Sequence, residues 1–486
     1  MKKFFRAFIV VMICLTVLVG LVSCGEEETT WKGYFVIKFS TGFDDVIVSD
    51  LIVDGKEPAK MPSDPIKAGY EFLGWYYDEA HTVPFSIGET PLDVTQDLTL
   101  YASWRQLGGK QPSGQPAEQD EVGFLYEKHG DEYALVGYDG EATALGVPAT
   151  YKNLPVTMIF SGAFSDAVTK ITIGKNVREI EEGALRRLTN LQEFAVHAEN
   201  VCFVAEEGVL YARNKTSVVC VPQKINKETF VLPATVKGVA EYAFEGCSFD
   251  LTLAPGGEYT EIDEYDLAGF AGRVTLGSTI AAIRRHAFSG AACEVTFAPD
   301  CPVDTLPMQS FAEYKGETLV LPGTIGNVEP YAFAGCEATV DISKLGWTKI
   351  GSHVFGRYAG KRLVVPATVT TIERYAFYDA TCEVTFAFGS QYAAVTDYAF
   401  AGFGYGEKLS SDATVSPSDA DSVVEIEGWG RVKLHGKVTF PSSVRRVSET
   451  AFFDACAVVA FENSRSDVTI AGDLVRFKGK IVYKND

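Results

Sequence analysis

Catalytic equipment is scarce in this chain. Six histidines occur in 486 residues: His81, His129, His197, His286, His353 and His435. No Cys-x-x-Cys pair clusters zinc ligands, and the acidic residues never gather into a calcium-binding loop. No Gly-x-Ser-x-Gly phrase presents a serine nucleophile. The glycine-rich run from Gly402 to Gly406 lacks the lysine and the strand-to-helix setting of a phosphate loop. These gaps point away from an enzyme and from any metal or cofactor. Positive charge is short as well. Lys and Arg number 43 against 64 Asp and Glu, for a net charge of −21. So acidic a chain is a poor ligand for nucleic acid or for an anionic membrane surface. A mostly disordered chain is excluded too, because 47% of residues are apolar.

Lys2, Lys3 and Arg6 precede an apolar run from Ala7 to Leu21, too short for a comfortable membrane span and shaped like a secretory signal. The run ends in Leu21-Val22-Ser23-Cys24, which resembles a bacterial lipobox. The resemblance implies that residues 1–23 are a lipoprotein signal peptide and that Cys24 carries lipid, the only link to a membrane. Residues 24–30 would then be a lipidated tether. Its Glu26, Glu27 and Glu28 resemble the surface-export tag of some outer-membrane lipoproteins, and a solvated tether explains them equally well. Removal of the signal takes the formal charge from −21 to −24.

What the chain has in abundance is repetition. Ala-Phe recurs at Ala243-Phe244, Ala287-Phe288, Ala332-Phe333, Ala376-Phe377, Ala399-Phe400 and Ala451-Phe452, with degenerate copies at Leu267, Phe311 and Phe355. From Phe244 to Phe400 the steps are 23, 21, 23, 22, 22, 22 and 23 residues. A unit of about 22 residues is too small to bury its own core and must stack as one turn of a solenoid. In the unit beginning at Leu363, Leu363 and Val365 point one way and Val364 the other, and Pro366 ends the short strand. The strand recurs with apolar flanks and a mostly β-branched centre. The central residues include Thr252, Thr275, Thr296, Val320, Asp341, Val364 and Thr385. Such a column suits any exposed sheet face; its functional reading is the floor of a flat binding face. The slot before Ala-Phe holds Tyr242, Tyr265, Tyr331, Tyr375 and Tyr398, with His286 and His353 between them. This file would either stack on a sugar or protein partner, or simply cover the coil edge. The two histidines are three coils apart, about 14 Å, and cannot share a metal.

Five of the ten cysteines, Cys247, Cys293, Cys336, Cys382 and Cys456, follow Ala-Phe in what reads as a single slot filled every second coil. Neighbours in that slot would be about 10 Å apart, beyond disulfide reach, so the spacing predicts buried free thiols. A bond between Cys202 and Cys220 across a hairpin stays open. A double period is also visible, with related turns at Pro233, Gly277, Pro322 and Pro366, spaced 44, 45 and 44. The next copy, Pro441, comes 75 residues later, so an insertion lies near residues 403–433. Its Trp429 is a candidate contact or a cover for the loop's base.

These coils resemble the BspA-like leucine-rich repeats of bacterial surface proteins, most clearly over Leu319–Ile342 and Leu363–Phe386. The resemblance implies a mostly β, β-solenoid fold over residues 122–486, led by capping hairpins, and a role in adhesion without enzymatic activity. Residues 31–105 differ. Gly69-Tyr70-Glu71-Phe72-Leu73-Gly74-Trp75 and Thr99-Leu100-Tyr101-Ala102-Ser103-Trp104 resemble an internalin-type B repeat, which implies a small β-grasp-like module acting as a spacer. Residues 106–121, poor in large apolar side chains, read as a flexible linker. The reading that follows is a lipid-anchored protein of the cell envelope, exposed at the surface. It would bind an extracellular or host protein, or a glycan, through a repeated face. A second reading makes it a passive architectural or capture subunit of an envelope or nutrient-import complex.

Overall fold

The computed structural model describes residues 35–43, 51–53, 65, 70–81, 85, 98–106, 117–181, 183–410, 422–426 and 430–484. The signal, Cys24, the tether and Trp429 lie outside the described residues. The chain divides into two units, Met1–Lys110 and Gln111–Asp486.

In the first unit, β1 (Phe35–Ser40), β2 (Leu51–Val53), β3 (Tyr70–Tyr76) and β4 (Leu98–Gln106) form one sheet in the order β2-β1-β4-β3. The central pair, β1 and β4, is parallel and the outer pairs are antiparallel. Alternation on β4 turns Leu100 and Ala102 into a core with Ile37, Phe39 and Trp75. Phe72 stands edge-on to both Trp75 and Trp104, 5.3 Å from each, and the Trp104 indole N–H donates to the Thr41 carbonyl at 2.8 Å. The aromatic phrases in the sequence thus build this core.

The second unit begins earlier than its sequence suggests. Glu118–Gln119, in the segment read as linker, pair with Phe124–His129, and Asp120 Oδ1 accepts from the backbone of Val122, Gly123 and Phe124. Phe124–His129 and Glu132–Tyr138 form an antiparallel hairpin, and Leu154–Ile159 joins it in parallel. A second antiparallel set, Phe203–Glu206, Val209–Ala212 and Ser217–Cys220, interrupts the coils.

Beyond it each coil repeats one path. A short strand pairs in parallel with the strands before and after: Arg273–Leu276 with Glu294–Phe297, and Arg362–Val365 with Glu383–Phe386. A turn leads to a two-residue ladder, such as Glu261–Ile262 on Ala282–Ile283 and Lys349–Ile350 on Thr371–Ile372. A second turn, carrying Ala-Phe, returns to the strand. Apolar residues of all three sides point inward, and Phe288, Phe311, Phe333, Phe355, Phe377, Phe400 and Phe452 are fully buried. They lie in one file. Successive rings are 4.7, 6.2, 5.6, 5.5, 4.8 and 5.3 Å apart and nearly parallel. The 22-residue period is therefore the stacking period of a β-solenoid, as the sequence implies. No α-helix occurs among the described residues.

The cysteines do not share one slot. Cys247 and Cys336 come three residues after the stacked phenylalanine, whereas Cys293 and Cys382 come five after it. All four point into the core, and burial pushes the thiols of Cys293 and Cys336 up to about 12. Cys456 comes four after Phe452 and belongs to a separate cluster described below. The thiols are free, Cys202 and Cys220 included.

The two slots explain the double period. Where the first holds Phe270, Tyr314, Tyr358 or Phe477, the second holds Gly272, Gly316, Gly360 or Gly479. In the alternate coils from Phe288 to Phe377 both are filled by Ala or Cys, as Ala291/Cys293, Cys336/Ala338 and Ala380/Cys382, while the coil of Phe244 holds Cys247/Phe249. The ring folds over the glycine. A Cβ on Gly360 would lie 2.1 Å from Tyr358 Oη. That hydroxyl instead donates to the Ala338 carbonyl of the preceding coil at 2.7 Å. One coil contributes volume and its neighbour leaves room, so the packing unit is two coils.

Candidate binding face

The outward side of the strands carries two columns, because side chains alternate. One is the β-branched column. The register Val231↔Thr252, Thr275↔Thr296, Val320↔Asp341 and Val364↔Thr385↔Thr439 brings its members together as the sequence predicts. Thr252, Thr275, Thr296, Val320 and Val364 are exposed, and Asp341 and Thr385 half-buried. The other column was not recognised from the sequence. It runs Asp250↔Arg273↔Glu294, then Arg362↔Glu383↔Lys437. Its signal is visible afterwards as a charged residue two positions before Thr252, Thr275, Thr296, Val364, Thr385 and Thr439, whereas Val231 and Val320 have Thr229 and Thr318 there. Arg273 clasps Asp250 with two bonds of 2.7 and 2.6 Å, which holds the Asp250 carboxyl below its ordinary range. Around Thr252, Thr275 and Thr296 the face is concave. A cavity of about 690 Å³ is bounded by Asp250, Arg273 and Glu294 on one side and by Pro255, Ser278 and Asp300 on the other.

The tyrosine file is also assembled, in a form the sequence does not reveal. Tyr242, Tyr265, His286, Gln309, Tyr331, His353, Tyr375 and Tyr398 all have φ between 55° and 61°. The left-handed region is unusual for bulky residues. Here the inter-coil backbone ladder runs through it, for example from Tyr331 N to His353 O at 2.8 Å and from Tyr375 N to Tyr398 O at 2.8 Å. The rings stack on one another. Tyr242–Tyr265 and Tyr265–His286 are each 4.9 Å apart, and Tyr331, His353, Tyr375 and Tyr398 follow at 5.1, 5.2 and 5.4 Å. Gln309 separates the two runs and accepts from Arg285 at 2.7 Å. At the open end of the first run, Arg186 lies 3.4 Å from the Tyr242 ring centre and is paired to Glu245. Tyr265, Tyr331 and Tyr398 are buried, Tyr242 and Tyr375 half-buried. The ring faces are largely spent on each other, which gives the coil-edge reading its geometry.

His353 sits within this stack, with Ser352 Oγ 2.8 Å from its Nδ1. Burial lowers its pKa from 6.5 to about 4. Between those values the unfolded chain binds more protons than the fold. Its contribution to stability is therefore complete above pH 6.5 and is lost as pH falls through 4. The loss is at most about 3 kcal/mol. His353→Gln should remove this term: unfolding free energies from urea titrations at pH 7 and pH 4.5 should differ less in the variant than in the parent, by about 2–3 kcal/mol.

The insertion leaves the solenoid at Gly404 and returns at Lys437. Tyr405–Lys408, Gly430–His435 and Val423–Ile426 form an antiparallel sheet with Gly430–His435 in the centre. Val432 and Leu434 turn down onto Cys456, Val458 and Val482. Val458 is in register with Lys437 in the charged column, and Val482 with Ala460 and Thr439 in the β-branched column. The insertion therefore lies on the strand face itself and covers its last coils.

Residues 149–416, in four overlapping stretches, match the BspA type leucine rich repeat region, in six copies. That span is more than half of the chain. The chain belongs to the BspA-type leucine-rich repeat family. BspA-type repeats are found in bacterial surface proteins, and leucine-rich repeats generally mediate protein binding. Ahead of the BspA-type coils, residues 35–103 match the Listeria-Bacteroides repeat domain. A leucine-rich repeat protein of Eubacterium ventriosum is 22% identical with a TM-score of 0.35, covering 48% of this chain and 64% of its own. One from Bacteroides ovatus is 14% identical with a TM-score of 0.33, over 74% of this chain and 99% of its own. A leucine rich cell surface protein of Faecalibacterium prausnitzii is 15% identical with a TM-score of 0.29, over 73% and 97%. A protein of Evansella cellulosilytica described as "Putative membrane protein" is 39% identical over 57 residues, 12% of this chain and 8% of that protein. The chain thus spans a small part of that relative.

Proposed function

We propose that this protein is a lipid-anchored component of the cell envelope that binds an extracellular protein or glycan through the outward strand face, without catalysis. The observation that carries the reading is the face itself. In-register columns of β-branched and charged side chains run across successive coils and enclose a concavity at Thr252, Thr275 and Thr296. Many weak contacts on a rigid, preordered surface add up without an ordering penalty. Lipid on Cys24 would hold this surface outside the membrane. A role as a passive capture subunit of an envelope or import complex would use the same face.

Thr275→Lys with Thr296→Glu tests the face. Both side chains are exposed, so the melting temperature should stay within a degree or two of the parent. Binding to a panel of purified extracellular proteins and to a glycan array should fall about tenfold or more. Unchanged binding removes this face from consideration.

A further inference from the structure

Exposed large apolar residues are few in the second unit and are not spread evenly. Of the seven among its described residues, Val231, Val320 and Val364 lie in the outward β-branched column, and Phe388 and Tyr405 flank one strand of the same face. Scattered exposed apolar side chains need no explanation, whereas a cluster of them marks a contact surface. Phe388 is completely exposed. It stands in the turn just past Glu383–Phe386, where the corresponding residues of other coils are Ala367, Ser278 and Pro299. At the opposite end of that strand, Gly404 N donates to the Ala380 carbonyl at 2.7 Å, which sets Tyr405 at its start. Tyr405, Thr385 with Val364, and Phe388 therefore cross the face in one line. With Val320, they cover a patch of about 20 Å by 14 Å, from strand and coil spacings. The insertion walls this patch where Val432 and Leu434 cover Val458.

The charges beside the patch differ from those of the concavity. There Arg273 is paired with Asp250. Here Arg362 and Lys437 flank Glu383 in register, yet neither they nor the adjacent Lys361 have an ion-pair partner among the described residues. Arg362 makes only a 3.4 Å bond to Thr385 Oγ1. Three exposed cations without carboxylate partners line the strand-start side of the patch, which is apolar but for Thr385 and the half-buried Asp341 between Val320 and Val364, on a chain of net charge −21.

We propose that this patch docks a protein whose contact surface has an apolar pocket for Phe388 and an acidic rim for Lys361, Arg362 and Lys437. The inference rests on the binding reading above and narrows it to a class of partner. A glycan fits less well. One face of the Tyr405 ring is taken by His435, 4.3 Å away and nearly parallel, and Val320 and Val364 offer a sugar no hydrogen bond. A buried aromatic anchor within a charged rim is how protein interfaces concentrate affinity, and the cations would steer an acidic partner onto an otherwise repelling molecule.

The full chain is titrated against a panel of purified extracellular proteins and, separately, a glycan array that includes sulfated polysaccharides. Binding is expected on the protein panel, weakened about tenfold or more by Phe388→Ala and by Val364→Lys. Arg362→Glu should slow association and reduce its dependence on salt. Melting curves of all three variants should overlay the parent. Binding confined to glycans overturns the inference, as does protein binding that Phe388→Ala and Val364→Lys leave untouched. If in those cases Thr275→Lys with Thr296→Glu still abolishes binding, the strand-face reading survives and only the choice of partner and patch falls. Absence of binding on both panels removes both.

Discussion

Phe377→Ala should destabilise the solenoid by about 3–5 kcal/mol. The ring is fully buried between Phe355 at 5.5 Å and Phe400 at 4.8 Å, with interplanar angles of 12° and 1°. Two coils lose a contact when one ring is removed. In a stack held by nearest-neighbour interfaces, such a gap does not spread evenly. It uncouples the coils on either side. The expected result is a broadened or split denaturant transition, with amide protection lost first near the gap and beyond Phe400, while the coils around Phe288 exchange as before. Uniform loss of protection along the whole stack would show that the coils do not behave as separable units.

The second large effect is expected from a substitution that adds a single methyl group. A Cβ on Gly272 would come 1.8 Å from the Phe249 carbonyl oxygen and 2.7 Å from the Phe270 ring. The nearer obstacle is backbone, so no side-chain rotation relieves it. Gly272→Ala should therefore cost about 3 kcal/mol. Gly277→Ala is the control. It is five residues away, and no atom lies within 4 Å of its Cβ position. Because φ there is not positive, the change should be neutral or slightly stabilising. Equal urea midpoints for the two variants would contradict the packing described for Phe270 and Gly272.

Both predictions depend on relations between coils, and that is where reading the sequence runs out. The period is legible because every coil repeats it, and so is the direction of Leu363, Val364 and Val365, since a strand alternates. Counting from Ala-Phe does not reveal that Cys247 and Cys293 fill different slots, three and five residues after the phenylalanine, of the same coil type. The cue is present: an aromatic residue two before glycine recurs at Phe270-x-Gly272, Tyr314-x-Gly316 and Tyr358-x-Gly360, one coil in two, until the insertion interrupts it after Phe403. The left-handed backbone at Tyr265 and Tyr331 had no such cue, for these are not residues that announce a positive φ. It is imposed by the ladder from neighbouring coils. The insertion was located by arithmetic, but its descent onto Val458 and Val482 was invisible. Valine at those positions looks like any other β-branched strand residue until Val432 and Leu434 are seen above it. Of the candidate site, the Thr and Val column was legible from the repeat, while Phe388 and the partnerless cations emerged only from exposure and register.

The alternation between coils that hold an aromatic ring and coils that leave space for it bears on how such a chain can lengthen or shorten. Excising the single coil that contains Cys336 and Ala338 would bring the Tyr314 coil against the Tyr358 coil, two rings competing for one gap. Excising a pair would restore the original partners. Gene duplications and deletions compatible with this fold should thus come in steps of about 44 residues, and the number of coils should change by twos.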